Sequence, residues 1–449
     1  VSMEESEKPE IEEQKTLTVR EMLEQLEVME DLGIPEYTAI PKNAKELALL
    51  QKGREARMSE LSKKVCEQVE ADHANYGEDS AKHSEYLYLK AKALSFFPET
   101  QAEAKEGYEK AIEINPENSE ALRDLGVAYF RLKDYAKSVE MYNKALEAKP
   151  DDRRCLGYLS ITLRKLETKS DEAKKENLAK GIEYAKSAVN LDVSDGYSWY
   201  LLGNAYLMSF FENEKYDDLD KSLKAYTQSE KLQKYLNPDL YFNRATIFTY
   251  FERYSEAIRD YMNANAIDSG LEADAKAIKL CDFVISTTRL IEQKKKFKGK
   301  NIPDLVKAIP KKLGEVKFLS MKESDQTLKY KLLPQSEMQA GENLGVIYCG
   351  KVICHISKDP QIPSCFLCID SKYTYTVISL YSVNKGVKDK IKHGDEVLIR
   401  DPVLMFISIE YESRLVTYPS IRVINISDIL INEQTLADVY GKAEAVSEN

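Results

Sequence analysis

Between Ser119 and Pro150, small and bulky residues recur at fixed offsets, and that spacing limits the folds open to this chain. Counting Ser119 as position 1, Leu122, Leu125, Gly126, Tyr129, Ser138, Tyr142, Ala145 and Pro150 fall at positions 4, 7, 8, 11, 20, 24, 27 and 32. Two apolar stripes at helical spacing, parted by a short polar break, read as two antiparallel helices. Gly126 and Ala145 are small where the helices cross closely. Tyr129 and Tyr142 are large where the gap to a neighbouring hairpin must be filled. Pro150 ends the second helix because it has no backbone N–H to donate. A generic helical bundle gives no reason for small residues at these offsets.

The pattern recurs. Ala104, Tyr108, Ala111 and Pro116 end a preceding unit, whose first helix covers Leu87–Leu94. Leu156, Leu159, Ser160 and Leu163 open a third, closed by Ala185 and Ala188 after an insertion near Thr168–Leu178. Trp199, Leu202, Gly203 and Tyr206 open a fourth, followed by Ser222, Tyr226 and Ser229 after an insertion near Glu212–Leu219. Tyr241, Ala245, Phe248, Ala257, Tyr261 and Ala264 make a fifth at standard spacing, with Ser269 where proline is usual. The unit resembles the 34-residue tetratricopeptide repeat, whose hairpins stack into a solenoid with a concave face. The helix around Lys45–Glu70 adds a divergent unit, and Leu271–Ile291 reads as a capping helix.

The rest of the chain divides by composition. Residues 1–16 read as a disordered acidic tail without an apolar leader. Residues 17–292 form the repeat solenoid with its N-terminal and capping helices. A lysine-rich linker covers 293–314, with Lys294, Lys295, Lys296 and Lys298 at its start. Residues 315–435 change to strand language, in runs such as SCFLCID and VLMFISIEY, and 436–449 form a C-terminal tail. The expected architecture is therefore multidomain, an α-solenoid followed by a small β-barrel. The 449 residues carry a net charge of −11, with −8 before Gly314 and −3 after it. A general nucleic-acid binder needs a positive surface, so that class is disfavoured. No apolar run is long enough to span a membrane. Seven cysteines thinly spread over this length fit reduced thiols better than a disulfide framework.

The segments DGYSWYLLGNAYLMSFF and NPDLYFNRATIFTYFERYSEAI, followed by a β-rich C-terminal domain, resemble the tetratricopeptide repeat protein 5 (Strap) family. The resemblance runs from about Tyr86 to Asn432. It implies a repeat superhelix packed on an oligonucleotide/oligosaccharide-binding (OB) fold. It also implies two roles, in the cytoplasm and the nucleus. One is recognition of the N-terminal Met-Arg-Glu peptide of nascent tubulin at the ribosome, which triggers decay of tubulin mRNA. The other is a scaffold or co-activator for a histone acetyltransferase in stress responses.

By the family geometry, first-helix positions 2, 5, 9, 12 and 13 point into the concave face. That places Arg123, Phe130 and Arg131 in the second repeat, and Arg164 and Lys165 in the third. Tyr197, Tyr200 and Asn204 follow in the fourth, then Asp239, Phe242, Thr246 and Tyr250 in the fifth. A cationic stretch, an aromatic and amide stretch and then an acid suit an extended peptide of mixed charge. Arg123, Arg131 or Arg164 offers a bidentate grip on a carboxylate. Asn204 can bond a peptide backbone, and Asp239 can take a cation.

Other chemistry is weaker. The lysine cluster Lys294, Lys295, Lys296 and Lys298 offers a contact to ribosomal RNA beside its plainer role as a solubilising linker. Phe366, Tyr373, Tyr375 and Tyr381 offer a base-stacking platform on the OB-like domain. Gly345 and Lys351 bound a run with P-loop spacing, but it lacks the Ser/Thr for magnesium and lies among strand residues. Cys349, Cys354, His355, Cys365 and Cys368 suggest zinc, yet Phe366 and Leu367 continue a strand and send Cys365 and Cys368 to opposite faces. No catalytic motif appears, so the expectation is a protein without enzymatic activity, metal or cofactor.

Overall fold

The computed structural model describes residues 18–31, 44–71, 80–168, 170–213, 215–233, 236–293, 297, 301–311, 330–356, 363–381 and 390–435. The chain forms two compact units. The first holds residues 1–205 and 231–236, and the second holds 206–230 and 237–449.

The first unit is helical. Helices Val19–Asp31 and Ala44–Ala71 precede three antiparallel hairpins. These are Ser80–Leu94 with Gln101–Ile114, Ser119–Arg131 with Tyr135–Ala148, and Arg153–Lys165 with Asp171–Leu191. Each later first helix starts on a short polar side chain that accepts from the first turn. Asn118 takes Ala121 N at 3.0 Å and Asp152, 34 positions on, takes Cys155 N at 3.0 Å. The insertion in the third repeat is helix, since Asp171–Leu191 begins on a Ser170 cap and runs 21 residues.

The crossing inside a hairpin explains the recurring spacing physically. A Cβ on Gly126 would stand 2.5 Å from the Tyr142 ring. Tyr142 is fully buried, and Ser138 Oγ donates to Gly126 O at 2.8 Å. Tyr142 therefore fills its own hairpin as well as the gap to the next, where it meets Cys155 and Leu159 and stacks on Tyr158 at 6.0 Å. Tyr129 reaches the preceding hairpin through Glu109 at 3.1 Å.

The second unit begins with helices. Tyr216–Leu232 contributes residues up to Glu230, followed by Pro238–Tyr250, Tyr254–Ile267, Ala273–Glu292 and the short Ile302–Lys307. Arg244 is buried between Asp260, at 2.5 Å, and Glu230, and so joins three of these helices. Ten strands then form one sheet: β1 Lys331–Leu333, β2 Gly341–Glu342, β3 Val346–His355, β4 Ser364–Asp370, β5 Tyr375–Leu380, β6 Glu396–Arg400, β7 Val403–Tyr411, β8 Arg414–Val423, β9 Ile429–Ile431 and β10 Gln434–Thr435. The order is β10-β9-β6-β3-β4-β5-β8-β7-β2, with β1 parallel to the start of β3.

Alternate residues of seven strands meet in one core, among them Tyr348, Phe366, Cys368, Ile378, Val397, Leu404, Ile421 and Ile429. A sheet whose successive strands share one inner cluster is curled around it. The long β3 changes partner from β1 to β4 along one edge and bulges between Val352 and Cys354, which bends it. Gly345 (φ +73°) leads into it. β8 runs through Pro419. Glu412 and Ser413, both at positive φ, close a two-residue turn that pairs Tyr411 with Arg414. Part of the expected linker is packed on the sheet: Phe297 stacks on Tyr375 at 5.6 Å, and Ile309 joins Ile347, Cys349 and Leu398.

Candidate functional site

The first unit contains a cavity of about 250 Å³. Its walls come from several hairpins: Lys92, Tyr108, Asp124, Phe130, Arg131, Tyr158 and Tyr197 are among its lining. Two of these lining residues, Lys92 and Asp124, belong to a buried ionic cluster. Asp124 Oδ2 is 2.8 Å from Lys92 Nζ and accepts from Tyr88 Oη at 3.2 Å. Arg123 donates through Nε to Asp124 at 3.0 Å and through Nη1 to Asp152 at 2.9 Å. Asp152 thus caps one first helix and anchors the arginine of the previous one. Burial disfavours charge on Asp124, but Arg123 and Lys92 overcome it and hold its pKa at about 2. Burial likewise opposes charge on Lys92, and Asp124 reverses this, so the lysine pKa is raised.

The sequence-derived candidates fall into distinct settings. Arg123 is 8% exposed and engaged by two carboxylates, so it anchors the repeats and does not offer a bidentate grip. Phe130, Arg131 and Tyr197 line the cavity. Arg131 Nη1 donates to Ser95 O at 3.0 Å and to Gln101 Oε1 at 3.1 Å. Arg164 is half-buried and donates Nε to Ser160 O of its own helix. Lys165 is exposed and Asn204 half-buried. Tyr200 lies against Tyr197 with ring centroids 5.9 Å apart.

The other candidates belong to the second unit. Asp239 is exposed in the first turn of Pro238–Tyr250. Phe242 and Thr246 meet at Tyr261, with the Phe242 ring edge-on at 5.4 Å and Thr246 Oγ1 3.2 Å from Tyr261 Oη. Tyr250 packs edge-on against Phe210 at 5.1 Å, and its carbonyl accepts from Arg422. Lys294, Lys295, Lys296 and Lys298 lie outside the described residues.

Sequence reasoning did not assign Lys92, Asp124 or Asp152 to the site and read Tyr108 only as repeat packing. Their signal was charge or hydroxyl within a helix, or at its N-cap for Asp152, flanked by core residues. The proposed stacking platform is not formed: Phe366, Tyr375 and Tyr381 are buried, and of the four rings only Tyr373 is exposed. Cys368 faces the barrel core, whereas Cys365 Sγ approaches Ser379 Oγ at 3.5 Å on the other face. Among the described residues, no three His, Cys, Asp or Glu side chains converge on a metal position. No described helix is long and apolar enough to cross a membrane.

Helical hairpins with this crossing, followed by a curled sheet, define an adaptor-type tetratricopeptide-repeat protein with a C-terminal OB fold. Family models agree, one described as tetratricopeptide repeat over residues 102–157 and one as tetratricopeptide repeat protein 5 OB fold domain over 329–441. Tetratricopeptide repeat protein 5 of Mus musculus is 32% identical over 75% of this chain and 77% of its own length. The Homo sapiens protein is 30% identical over 76% and 78%. The chain belongs to the tetratricopeptide repeat protein 5 family. Among solved structures, YrrB, described as a TPR protein with an unusual peptide-binding site, is 21% identical. It covers 47% of this chain and 99% of its own, with a TM-score of 0.35.

Proposed function

We propose that this chain is a non-catalytic adaptor that holds a short peptide on the first-helix face of its repeats. The peptide we assign is the N-terminal Met-Arg-Glu of nascent tubulin, read in the cytoplasm at the ribosome to trigger tubulin mRNA decay. The observation that supports this reading most is the cavity bounded by Phe130, Arg131, Tyr158 and Tyr197. Three rings and a guanidinium suit a peptide that carries an apolar residue beside charged ones. Aromatic and arginine side chains supply most of the affinity at peptide interfaces. Family membership supports the adaptor class, and the peptide's identity comes from the resemblance alone.

The test is binding of labelled Met-Arg-Glu-Ile to the full chain and to its Phe130→Ala variant, Phe130 being a lining residue of the cavity. Weakening by the variant, with circular dichroism unchanged, supports the reading. Unchanged affinity in a folded variant overturns it.

A further inference from the structure

Alternate residues of β7 and β8 face opposite ways. Leu404 and Ile421, paired across the two strands, look into the barrel core. The opposite face carries Ile407, Ile409 and Tyr418, all buried, and Ser420, which donates to Glu252. Helices Tyr254–Ile267 and Ala273–Glu292 pack on the hairpin there. The face that continues from Leu404 and Ile421 runs past the core into solvent. It presents Phe406 and Leu415, 57% and 73% exposed. Among the described strand residues, the exposed large apolar side chains are Phe406, Tyr411 and Leu415, all on this one hairpin. β4 and β5, by contrast, are buried along their whole length. Scattered exposed apolar residues are ordinary, but a cluster rimmed by polar groups marks an interaction site.

The sign of the charge narrows the partner. Glu410, opposite Leu415, and Glu412 in the turn are exposed, with no hydrogen bond or ion pair among the described residues. The cations of these strands, Arg414 and Arg422, alternate onto the helix-covered face. Geometry narrows it further. The outer edge of β7 is taken by β2 at Leu404 and by Ser255 Oγ, which donates to Ser408 O at 2.8 Å. That leaves the face rather than the edge, and so a helix rather than an added strand. From Phe406 to Glu412 the strand spans ~20 Å, the length of an α-helix of about 13 residues. We propose that this face of the β7–β8 hairpin is a docking surface for a basic amphipathic helix of a partner protein. Its apolar stripe covers Phe406 and Leu415, and its lysines or arginines meet Glu410 and Glu412. An adaptor joins two partners, and this surface serves the second, whatever the repeats hold.

The experiment is fluorescence anisotropy on the full chain with two labelled amphipathic helical peptides, one of leucine and lysine and one of leucine and glutamate. Wild type is compared with Leu415→Ser and with a Glu410→Lys, Glu412→Lys double variant. A charge-matched control, Glu103→Lys with Glu113→Lys, alters two exposed acids of helix Gln101–Ile114 in the other unit. Circular dichroism checks that each variant is folded. We expect wild type to bind the lysine peptide saturably and the glutamate peptide about tenfold or more weaker. Each hairpin variant should lose about tenfold or more for the lysine peptide, the scale of an interface anchor, and the control should stay within about twofold of wild type. No saturable binding, equal binding of the two peptides, unchanged affinity in the hairpin variants or an equal loss in the control overturns the inference. Sedimentation of the full chain checks the occupant: a dimer that Leu415→Ser dissolves makes it a second copy and overturns the choice of partner.

Discussion

Glu252 accepts a hydrogen bond from Tyr381 Oη at 2.9 Å. The carboxylate sits in the turn of the last repeat hairpin and the phenol just after β5, so the contact ties helix to sheet within the second unit. Glu252 is 3% exposed and holds a left-handed φ of 57°. Ser420 and Ser379 hydroxyls also donate to it, at 3.0 and 3.1 Å. Nearby, the Arg422 guanidinium lies over the Tyr381 ring at 4.7 Å and bonds Tyr250 O. Buried charge is tolerated only when it is bonded on this scale.

Tyr381→Phe removes one donor from that carboxylate while keeping the ring. The loss expected is about 1.5–3 kcal/mol, the worth of a hydrogen bond to a charged group. Urea denaturation of the full chain, followed on the sheet-rich unit by circular dichroism, measures it. A midpoint equal to that of wild type would show that Glu252 does not depend on the phenol. Burial also pushes the Glu252 carboxyl above its ordinary value. A raised carboxyl binds its proton more tightly when folded, so its contribution is lost as pH rises past the ordinary carboxylate range. The stability deficit of Glu252→Gln should therefore shrink as pH rises above the ordinary carboxylate range.

Asp124 gives the opposite sign. Held at about 2 against an ordinary 3.8, its carboxylate stabilises the fold above the unfolded value. That stability is lost as pH falls through the window between those values, by about 2 kcal/mol in all. At neutral pH, Asp124→Asn should cost about 3–5 kcal/mol, because Lys92 and Arg123 are left buried with less countercharge. The difference should shrink by about 2 kcal/mol as pH falls from about 4 to about 2. A constant difference from pH 7 to pH 2.5, read from thermal midpoints, would contradict the ionic account.

Gly126→Ala sets two effects against each other. Alanine favours helix over glycine by about 1 kcal/mol. The new methyl, however, would stand 2.5 Å from Tyr142, which is fully buried and has no room to retreat. Overpacking of this kind costs about 1–3 kcal/mol, so the net change should be destabilising by about 1 kcal/mol. A stabilised variant in urea titration would mean that the ring moves freely.

The repeat was legible because close packing writes itself into side-chain size. Gly126, Tyr142 and Ala145 cannot exchange volumes without breaking the crossing, so their spacing alone discloses the hairpin. Strands of the barrel were legible from β-branched runs, but Pro419 concealed the first half of β8, which is closed by the positive-φ pair Glu412–Ser413. The candidate site was read less well. Periodicity says which face Arg123 occupies, not that Asp124 and Asp152 pull its head inward. It assigns Tyr375 and Tyr381 to strands without revealing that Phe297 and Glu252, distant in sequence, bury them. Long-range pairing of this kind leaves no local trace.

The proposed adaptor role turns on whether the first-helix face of the repeats holds a peptide. The most direct measurement is anisotropy titration of labelled Met-Arg-Glu-Ile with the full chain and with Tyr197→Ala. Saturable binding is expected for wild type. It should weaken about tenfold or more when the Tyr197 ring is removed, the usual scale for an aromatic anchor. Absence of saturable binding, or equal binding by a folded Tyr197→Ala protein, would contradict it.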